Sequence, residues 1–251
     1  MDSIFDRDDF NGSLFFVRRD VSPPRRAQDR FVDVGGAAVH VRLHEAAGAR
    51  CTLLLFHGNG EVVADYDDAA ADFARAGCAL AVVDYRGYGR SEGTPTLRNA
   101  IGDARAVAES VRGDRPLIAM GRSLGGVAAH ELYARPIDGM AAVVLESAFY
   151  DLAGLVRRRG LRAPEAFTVE ELAAFDPAGK LRAGTLPLLV LHGARDTLID
   201  PSEASSAIAA AGSADKQLVL IPGRGHNDIS AADGYWRTLR AFVDRVTVRV
   251  G

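Results

Sequence analysis

The sequence predicts an α/β fold: a mostly parallel sheet of roughly eight strands, flanked by helices. After residue 30, short apolar, β-rich runs alternate with longer amphipathic segments, which is typical of parallel strands connected by helices. The chain has 251 residues, of which 48% are hydrophobic and 25% are charged. A chain of this length buries about three quarters of its unfolded surface. The composition therefore excludes a disordered or fibrous protein.

The strands are predicted from short runs of apolar and β-branched residues. Residues 30–34 and 39–44 are joined by Gly35-Gly36 and predict an antiparallel hairpin. The third run, residues 52–56, is continuously apolar, which suits a strand that is buried on both faces. The remaining strands are predicted at residues 79–83, 117–120, 141–145, 186–191 and 217–221.

Amphipathic segments between these strands predict the helices. The first helix ends at Gly77, a suitable C-cap, and the fourth begins after Asp200, a suitable N-cap. The predicted helices cover residues 61–76, 97–111, 124–134, 201–211 and 231–246.

Two segments depart from this alternation. Residues 1–29 form a polar lead-in. Residues 149–182 contain two weak helical patterns, 152–159 and 169–175, with no strand between them. We therefore predict one domain over residues 30–251, with a small helical cap inserted at about 149–182.

The sharpest local signal is Gly121-Arg122-Ser123-Leu124-Gly125, which follows a predicted strand and precedes a predicted helix. A GxSxG sequence in this context is typical of a nucleophile elbow, in which a tight turn exposes the serine. The helix N-terminus beneath the serine favours developing negative charge. The alternative interpretation is a glycine-rich turn whose serine only caps the helix.

A nucleophilic serine needs a base, and the base needs an acid that orients it. Both residue types follow later predicted strands: Asp196 ends the sequence HGARD, and His226 lies in GRGHND. Both loops lie at the carboxyl ends of strands, where α/β sheets place their ligand sites. Ser123, His226 and Asp196 are therefore the predicted triad, and Glu146, at the end of the sixth strand, is the competing acid.

An oxyanion hole is predicted beside the serine. The sequence FHGNG at residues 56–60 follows the third strand and allows a tight turn that directs an N–H into the site. The N–H groups of Asn59 and Leu124 are the predicted donors, with Gly60 as an alternative to Asn59. Losing one such donor typically costs about 3 kcal/mol of transition-state stabilisation.

Taken in order, these motifs resemble the α/β-hydrolase superfamily over residues about 30–248. FHGNG, DYRGYGRSEGTPT, GRSLGG, HGARDTLIDP and GRGHNDI are similar to motifs of the small serine hydrolases that include membrane-associated esterases and protein depalmitoylases. The resemblance implies an α/β-hydrolase fold with Ser123 as nucleophile, Asp196 as acid and His226 as base. It also implies Asn59 and Leu124 as oxyanion donors.

The activity implied is hydrolysis of a carboxylic ester or thioester through an acyl-enzyme. Hydrolysis of an amide or peptide bond by the same triad stays open, as does a catalytically silent protein that binds a ligand. No cofactor is predicted, because the glycines of GYG lack the spacing of phosphate-binding motifs. No metal is predicted either, because the two cysteines lack the spacing of a zinc site. The expected partner is a small-molecule or acyl ester substrate.

Cysteine usage departs from those depalmitoylases. They carry a lipidated N-terminal cysteine cluster, whereas the first cysteine here is Cys51, so no stable membrane anchor is predicted. The resemblance places Cys51 and Cys78 at the start of adjacent parallel strands. We expect both to stay reduced, because a disulfide demands strict geometry and an oxidising compartment.

Charge limits the partners further. Thirty basic residues against 33 acidic residues give a net charge of −3, whereas a dedicated nucleic-acid binder is strongly basic. No apolar run approaches the ~18 residues of a membrane span, and the acidic start MDSIFDRDDF differs from a signal peptide. We therefore expect a cytoplasmic protein that binds no nucleic acid, and the sequence predicts no particular oligomeric state.

The cap is predicted to cover Ser123 with an apolar acyl pocket. Four arginines, Arg157, Arg158, Arg159 and Arg162, either rim its entrance, where they would favour an anionic substrate, or form a solvated helix face. The predicted pocket residues are Phe149, Leu152, Leu155, Val156, Phe167, Leu172 and Phe175.

Other polar residues near the motifs are predicted to be structural. His57 and His192 each precede a glycine at a strand end and are expected to brace the active-site loops. Asp84, Arg86 and Ser91 are expected to hold a glycine-rich loop through local hydrogen bonds.

Overall fold

The computed structural model describes residues 3–158, 160 and 168–248. Its centre is a sheet of eight strands. The strands are β1 Gln28–Asp33, β2 Ala38–His44, β3 Cys51–Phe56, β4 Cys78–Val83, β5 Leu117–Arg122, β6 Met140–Glu146, β7 Leu188–Gly193 and β8 Lys216–Ile221. Their order in the sheet is β1-β2-β4-β3-β5-β6-β7-β8. β2 runs antiparallel to β1 and β4, and the other neighbouring strands are parallel. The prediction of an eight-stranded, mostly parallel sheet is confirmed.

Each predicted strand overlaps an observed one. The predicted hairpin is confirmed, since β1 and β2 pair in antiparallel register with Val32 opposite Val39. The apolar run in β3 is buried at every position, as expected for a central strand covered on both faces. Strand order reverses on either side of β3, and α/β sheets bind their ligands at such a switch point.

Helices cover both faces of the sheet. They are α1 Asp8–Leu14, α2 Ala70–Arg75, α3 Leu97–Val111, α4 Gly126–Ala134, α5 Leu152–Arg158, α6 Val169–Phe175, α7 Pro177–Ala183, α8 Pro201–Ala210 and α9 Asp233–Thr247. One apolar layer packs α3, α4, α7, α8 and the N-terminal segment, residues 3–20, on the sheet, and the other packs α2 and α9 on the opposite face. Among the described residues, no helix combines the length and apolar character needed to cross a bilayer.

One predicted helix is wrong. Residues 61–76 form a short 3₁₀ turn, Val63–Tyr66, followed by the shorter helix α2. The Asp65 carboxylate accepts the N–H of Val62, and the Glu61 carboxylate accepts the N–H of Gly58. These acidic side chains satisfy loop N–H groups, so the backbone turns instead of continuing as one long helix.

The N-terminal segment contributes to the core, although the sequence pattern predicts a polar lead-in. Phe5, Phe10 and Leu14 are fully buried, and the centroids of the Phe5 ring and the Phe175 ring of α6 are 4.0 Å apart. The Asn11 side chain accepts the N–H of Leu97, the first residue of α3. Residues 3–14 therefore pack with the same hydrophobic core as the sheet.

The two helical patterns of the predicted cap coincide with α5 and α6. A third helix, α7, follows directly and was not predicted from the pattern. Its N-cap is Asp176, whose carboxylate accepts the N–H groups of Ala178 and Gly179, and Pro177 occupies the first turn. The signal for this helix was therefore its Asp-Pro start and not an apolar periodicity.

Cys51 of β3 and Cys78 of β4 lie side by side on these two neighbouring parallel strands, as the resemblance implies. Both are buried free thiols, and their sulfur atoms lie 3.5 Å apart. The contact with Cys51, together with burial, raises the pKa of the Cys78 thiol.

We predict that Phe10→Ala lowers the free energy of unfolding by about 3–5 kcal/mol, because it empties a fully buried site in the core. Val21→Ala is the control: Val21 is 81% exposed, and its truncation should change stability by less than about 0.5 kcal/mol. Urea denaturation of both variants checks this. Equal midpoints for the two variants would contradict the placement of residues 3–14 in the core.

Candidate active site

The candidate nucleophile lies in a strained turn. β5 ends at Arg122, a 3₁₀ turn covers Ser123–Gly125, and α4 begins at Gly126. Ser123 has φ of +49°, in the left-handed region that residues with a Cβ rarely adopt. Such strain persists only where the surrounding structure holds it, and it is frequent at functional sites.

The two flanking glycines are required by close packing. A Cβ on Gly121 would lie 2.5 Å from the carbonyl oxygen of Gly125, and a Cβ on Gly125 would lie 2.0 Å from the carbonyl oxygen of Phe56. Neither distance is compatible with a side chain. The GxSxG spacing thus lets the turn pack directly against the end of β3.

The structure brings Ser123, His226 and Asp196 into one hydrogen-bond chain. Ser123 Oγ lies 3.0 Å from His226 Nε2, and His226 Nδ1 lies 2.8 Å from Asp196 Oδ2. With the proton on Nδ1 donated to the carboxylate, Nε2 is left to accept the serine hydroxyl. The three residues come from the loops after β5, β7 and β8.

Asp196 is held by groups other than His226. Its Oδ1 accepts the N–H groups of Leu198 and Ile199, each at 2.9 Å, and His192 Nε2 lies 3.2 Å from Oδ2. Burial alone would raise the pKa of Asp196, but the hydrogen bonds from His192, His226 and the backbone outweigh burial and lower the pKa below its usual range. The carboxylate is therefore ionised and fixed in position beside the imidazole.

Glu146, the competing acid, has different partners. Arg122 Nε lies 3.2 Å from its Oε1, and the Tyr235 hydroxyl donates to its Oε2 at 2.6 Å. Burial raises the pKa of Glu146 although Arg122 opposes that shift. Asp196, and not Glu146, makes the hydrogen bond to His226.

The sequence pattern does not predict a charged network beside the nucleophile turn, centred on Arg122. Its Nη1 lies 2.9 Å from Glu61 Oε1, and its Nη2 donates to Asn227 Oδ1 at 3.1 Å. Glu61 in turn accepts the N–H of Gly58 and the hydroxyl of Tyr66, both at 2.7 Å. The network thus links the loop after β3, the nucleophile turn and the loop that carries His226. The available signal was an arginine at the end of an otherwise apolar strand.

A cavity of about 250 Å³ opens above Ser123. Both predicted oxyanion residues, Asn59 and Leu124, line this cavity, as does His226. The roles of their backbone N–H groups stay predictions. The cavity is lined by Leu14, Phe16, Asn59, Glu61, Arg122, Ser123, Leu124, Phe149, Leu155, Leu198, Ile199, His226 and Asn227.

Only some of the cap residues that were predicted to form the pocket line the cavity. Phe149 and Leu155 line the cavity, whereas Val156 and Phe175 are buried in the core without lining it. Phe167 and the side chains of Leu152 and Leu172 lie outside the described residues.

Of the four cap arginines, the structure describes the side chain of one. Arg157 is 63% exposed and pairs with Asp151 at 3.2 Å. Arg159, Arg162 and the side chain of Arg158 lie outside the described residues. Arg157 is not among the residues that line the cavity.

His192 and Ser91, which were expected to brace loops, each form a hydrogen bond with a loop carbonyl oxygen. His192 Nε2 lies 3.0 Å from the carbonyl oxygen of Ile199, and the Ser91 hydroxyl donates to the carbonyl oxygen of Asp84 at 2.9 Å. Burial would raise the pKa of Asp84, but hydrogen bonds from His40 and His57 lower it to about 2.

Arg86 is also bound locally, in a bidentate pair with Asp103 at 2.8 Å for both contacts. Within the described part of the chain, no group of three or more histidine, cysteine or carboxylate side chains is arranged to hold a metal ion.

The sheet topology, together with a match to a hydrolase family and to an α/β-hydrolase relative, defines the class of the protein: it is an α/β hydrolase. Its fold is similar to that of the Pyrococcus furiosus esterase Pf2001, with a TM-score of 0.74 and 16% sequence identity over 92% of this chain and 99% of that one. A likeness at this identity shows the shared fold.

More particularly, the chain belongs to the hydrolase family described as "Serine aminopeptidase, S33", whose family model matches residues 47–182 and 172–230. It is 31% identical to the human alpha/beta hydrolase domain-containing protein 17B over 213 residues, 80% of this chain and 69% of that protein. It is 28% identical to protein bem46 of Schizosaccharomyces pombe over 208 residues, 79% of this chain and 69% of that protein.

We predict that Gly125→Ala destabilises the fold by about 3 kcal/mol or more, because its Cβ would overlap the Phe56 carbonyl oxygen. Gly102→Ala is the matched control, since this exposed glycine of α3 has no atom within 4 Å of the added Cβ. It should gain about 1 kcal/mol from higher helix propensity. Thermal unfolding of both variants checks the contrast, and a stable Gly125→Ala protein would contradict the tight packing of the turn on β3.

Proposed function

We propose that this α/β hydrolase is a serine hydrolase that cleaves a carboxylic ester or thioester through an acyl-enzyme intermediate. The observation that carries the proposal is the hydrogen-bond chain from Ser123 through His226 to Asp196. Membership of a hydrolase family and the largely apolar cavity above the serine support it.

The first half-reaction acylates the serine. His226 Nε2 takes the hydroxyl proton as Ser123 Oγ attacks the carbonyl carbon, and Asp196 stabilises the imidazolium that forms. The resulting oxyanion accepts hydrogen bonds from the N–H groups of Asn59 and Leu124. The imidazolium then returns the proton to the leaving alcohol or thiol as the bond to the acyl carbon breaks.

The second half-reaction releases the acid. His226 removes a proton from a water molecule, which attacks the acyl carbon and forms a second tetrahedral intermediate. The proton on Nε2 passes to Ser123 Oγ when the acyl–serine bond breaks. The carboxylic acid leaves, and the resting hydrogen-bond chain is restored.

Amide hydrolysis is the second candidate, favoured by the aminopeptidase description of the matching family. A p-nitroanilide and a p-nitrophenyl ester of the same acyl group separate the two. Turnover of the ester alone supports the esterase proposal. Comparable turnover of the anilide would assign an amidase.

We predict that Ser123→Ala abolishes ester hydrolysis and labelling by a fluorophosphonate probe, because it removes the only attacking oxygen in the hydrogen-bond chain. The fold should persist, since the substitution removes one hydroxyl and little packing. Labelling is followed by intact-protein mass spectrometry and folding by circular dichroism.

The unmodified chain is the positive control and should bind one probe molecule per chain. Failure of the unmodified chain to react would instead indicate a catalytically silent binding protein. Labelling of Ser123→Ala at the native rate would place the nucleophile elsewhere.

A second prediction ranks the two acids. Asp196→Asn should lower turnover by up to about 10⁴, by analogy with other triads, because an amide disfavours the productive imidazole tautomer. Glu146→Gln is the control, since Glu146 contacts Arg122 and Tyr235 instead of the base. It should reduce turnover far less. Steady-state kinetics with one ester decide the ranking, and the reverse order would assign the acid to β6.

A further inference from the structure

The N-terminal segment is fixed directly against the loop that carries Asn59. The Asn59 side chain donates to the carbonyl oxygen of Leu14 at 2.5 Å and accepts the N–H of Phe16 at 2.8 Å. The Tyr88 hydroxyl donates to the same Asn59 oxygen, also at 2.8 Å. One amide side chain therefore sets the position of the backbone on both sides of residue 15.

Residues 18–20 are anchored further along by main-chain hydrogen bonds. The N–H of Gly89 donates to the carbonyl oxygen of Arg18 at 2.8 Å, and the N–H of Asp20 donates to the carbonyl oxygen of Gly89 at 3.4 Å. The Arg18 guanidinium also donates to the carbonyl oxygen of Gly60 at 3.2 Å. The backbone around Phe16 is thus held at both ends.

This anchoring places two side chains of the segment at the cavity above Ser123. Leu14 and Phe16 both line it, Leu14 fully buried and Phe16 57% exposed. Leu198, on the loop that follows Asp196, lines the same cavity and is also 57% exposed. Scattered exposed apolar side chains are ordinary, but these two lie at the mouth of one cavity that contains the candidate nucleophile.

The inner part of the cavity suits an uncharged chain. Its apolar lining continues inward through Leu124, Phe149 and Leu155. The two charged side chains that line it, Glu61 and Arg122, are paired with each other at 2.9 Å. Neither of these two charges therefore faces a ligand unpaired.

We propose that Phe16 and Leu198 form an outer acyl-binding subsite, which gives the enzyme a preference for esters or thioesters whose unbranched acyl chain extends past the cavity. The inference rests on the proposed function, since it assumes that Ser123 is acylated. Burial of the distal methylenes against the two exposed side chains supplies the preference. The N-terminal segment is thus a determinant of specificity.

The test is a chain-length series of p-nitrophenyl esters from acetyl to decanoyl, measured as kcat/KM. The unmodified chain should favour octanoyl over acetyl esters. Phe16→Ala and Leu198→Ala should each lower that octanoyl-to-acetyl ratio by about tenfold, the scale of losing a methylene-sized apolar contact. Circular dichroism confirms that each variant is folded.

Val17→Ala is the matched control, because Val17 is the neighbour of Phe16, is 50% exposed and does not line the cavity. Its octanoyl-to-acetyl ratio should equal that of the unmodified chain. A ratio in Phe16→Ala equal to that in Val17→Ala, or a flat series in the unmodified chain, would overturn the outer subsite while leaving the serine hydrolase intact. If the unmodified chain neither hydrolyses any ester of the series nor reacts with a fluorophosphonate, the proposed function fails and this inference with it.

Discussion

The close approach of the nucleophile turn to the end of β3 is the constraint on which the site depends. With no side chain at Gly125, the turn lies against the Phe56 carbonyl, and Ser123 is held at positive φ. The same approach sets the loop after β3, which contains Asn59, beside the serine. Backbone strain of about 1–3 kcal/mol is tolerated there because the sheet on both sides is buried and rigid.

The charge of Arg122 gives this turn its electrostatic support. Two carboxylates, Glu61 and Glu146, converge on one guanidinium, and leaving such groups unpaired in a buried site costs about 3 kcal/mol or more. Because Glu61 also binds the N–H of Gly58, the network restrains the loop beside Asn59. Asp196 does not contact Arg122 and instead forms a hydrogen bond with His226.

The sequence was sufficient for features that are encoded locally. Helix α3 has the predicted bounds, since Thr96 caps it and its apolar residues follow one face. The order of the motifs predicted the contact between Ser123, His226 and Asp196.

The packing of the N-terminal segment was not predicted, because its isolated apolar residues stand among acidic ones and their partners, such as Phe175, lie far away in sequence. The Arg122 network was not predicted for the same reason, because Arg122, Glu61 and Glu146 lie far apart from one another in the sequence.

These long-range contacts connect the hydrophobic core to the cavity above Ser123. Asn59 lies between the predicted oxyanion hole and the N-terminal segment, so one residue joins the reacting centre to a wall of the cavity. The backbone N–H of Leu198 donates to the Asp196 carboxylate, and the Leu198 side chain lines the same cavity. Phe16 is therefore attached to the loop that carries Asn59, and Leu198 belongs to the loop that carries Asp196. A change that loosened either attachment would also move Asn59 or Asp196, because the same hydrogen bonds hold both.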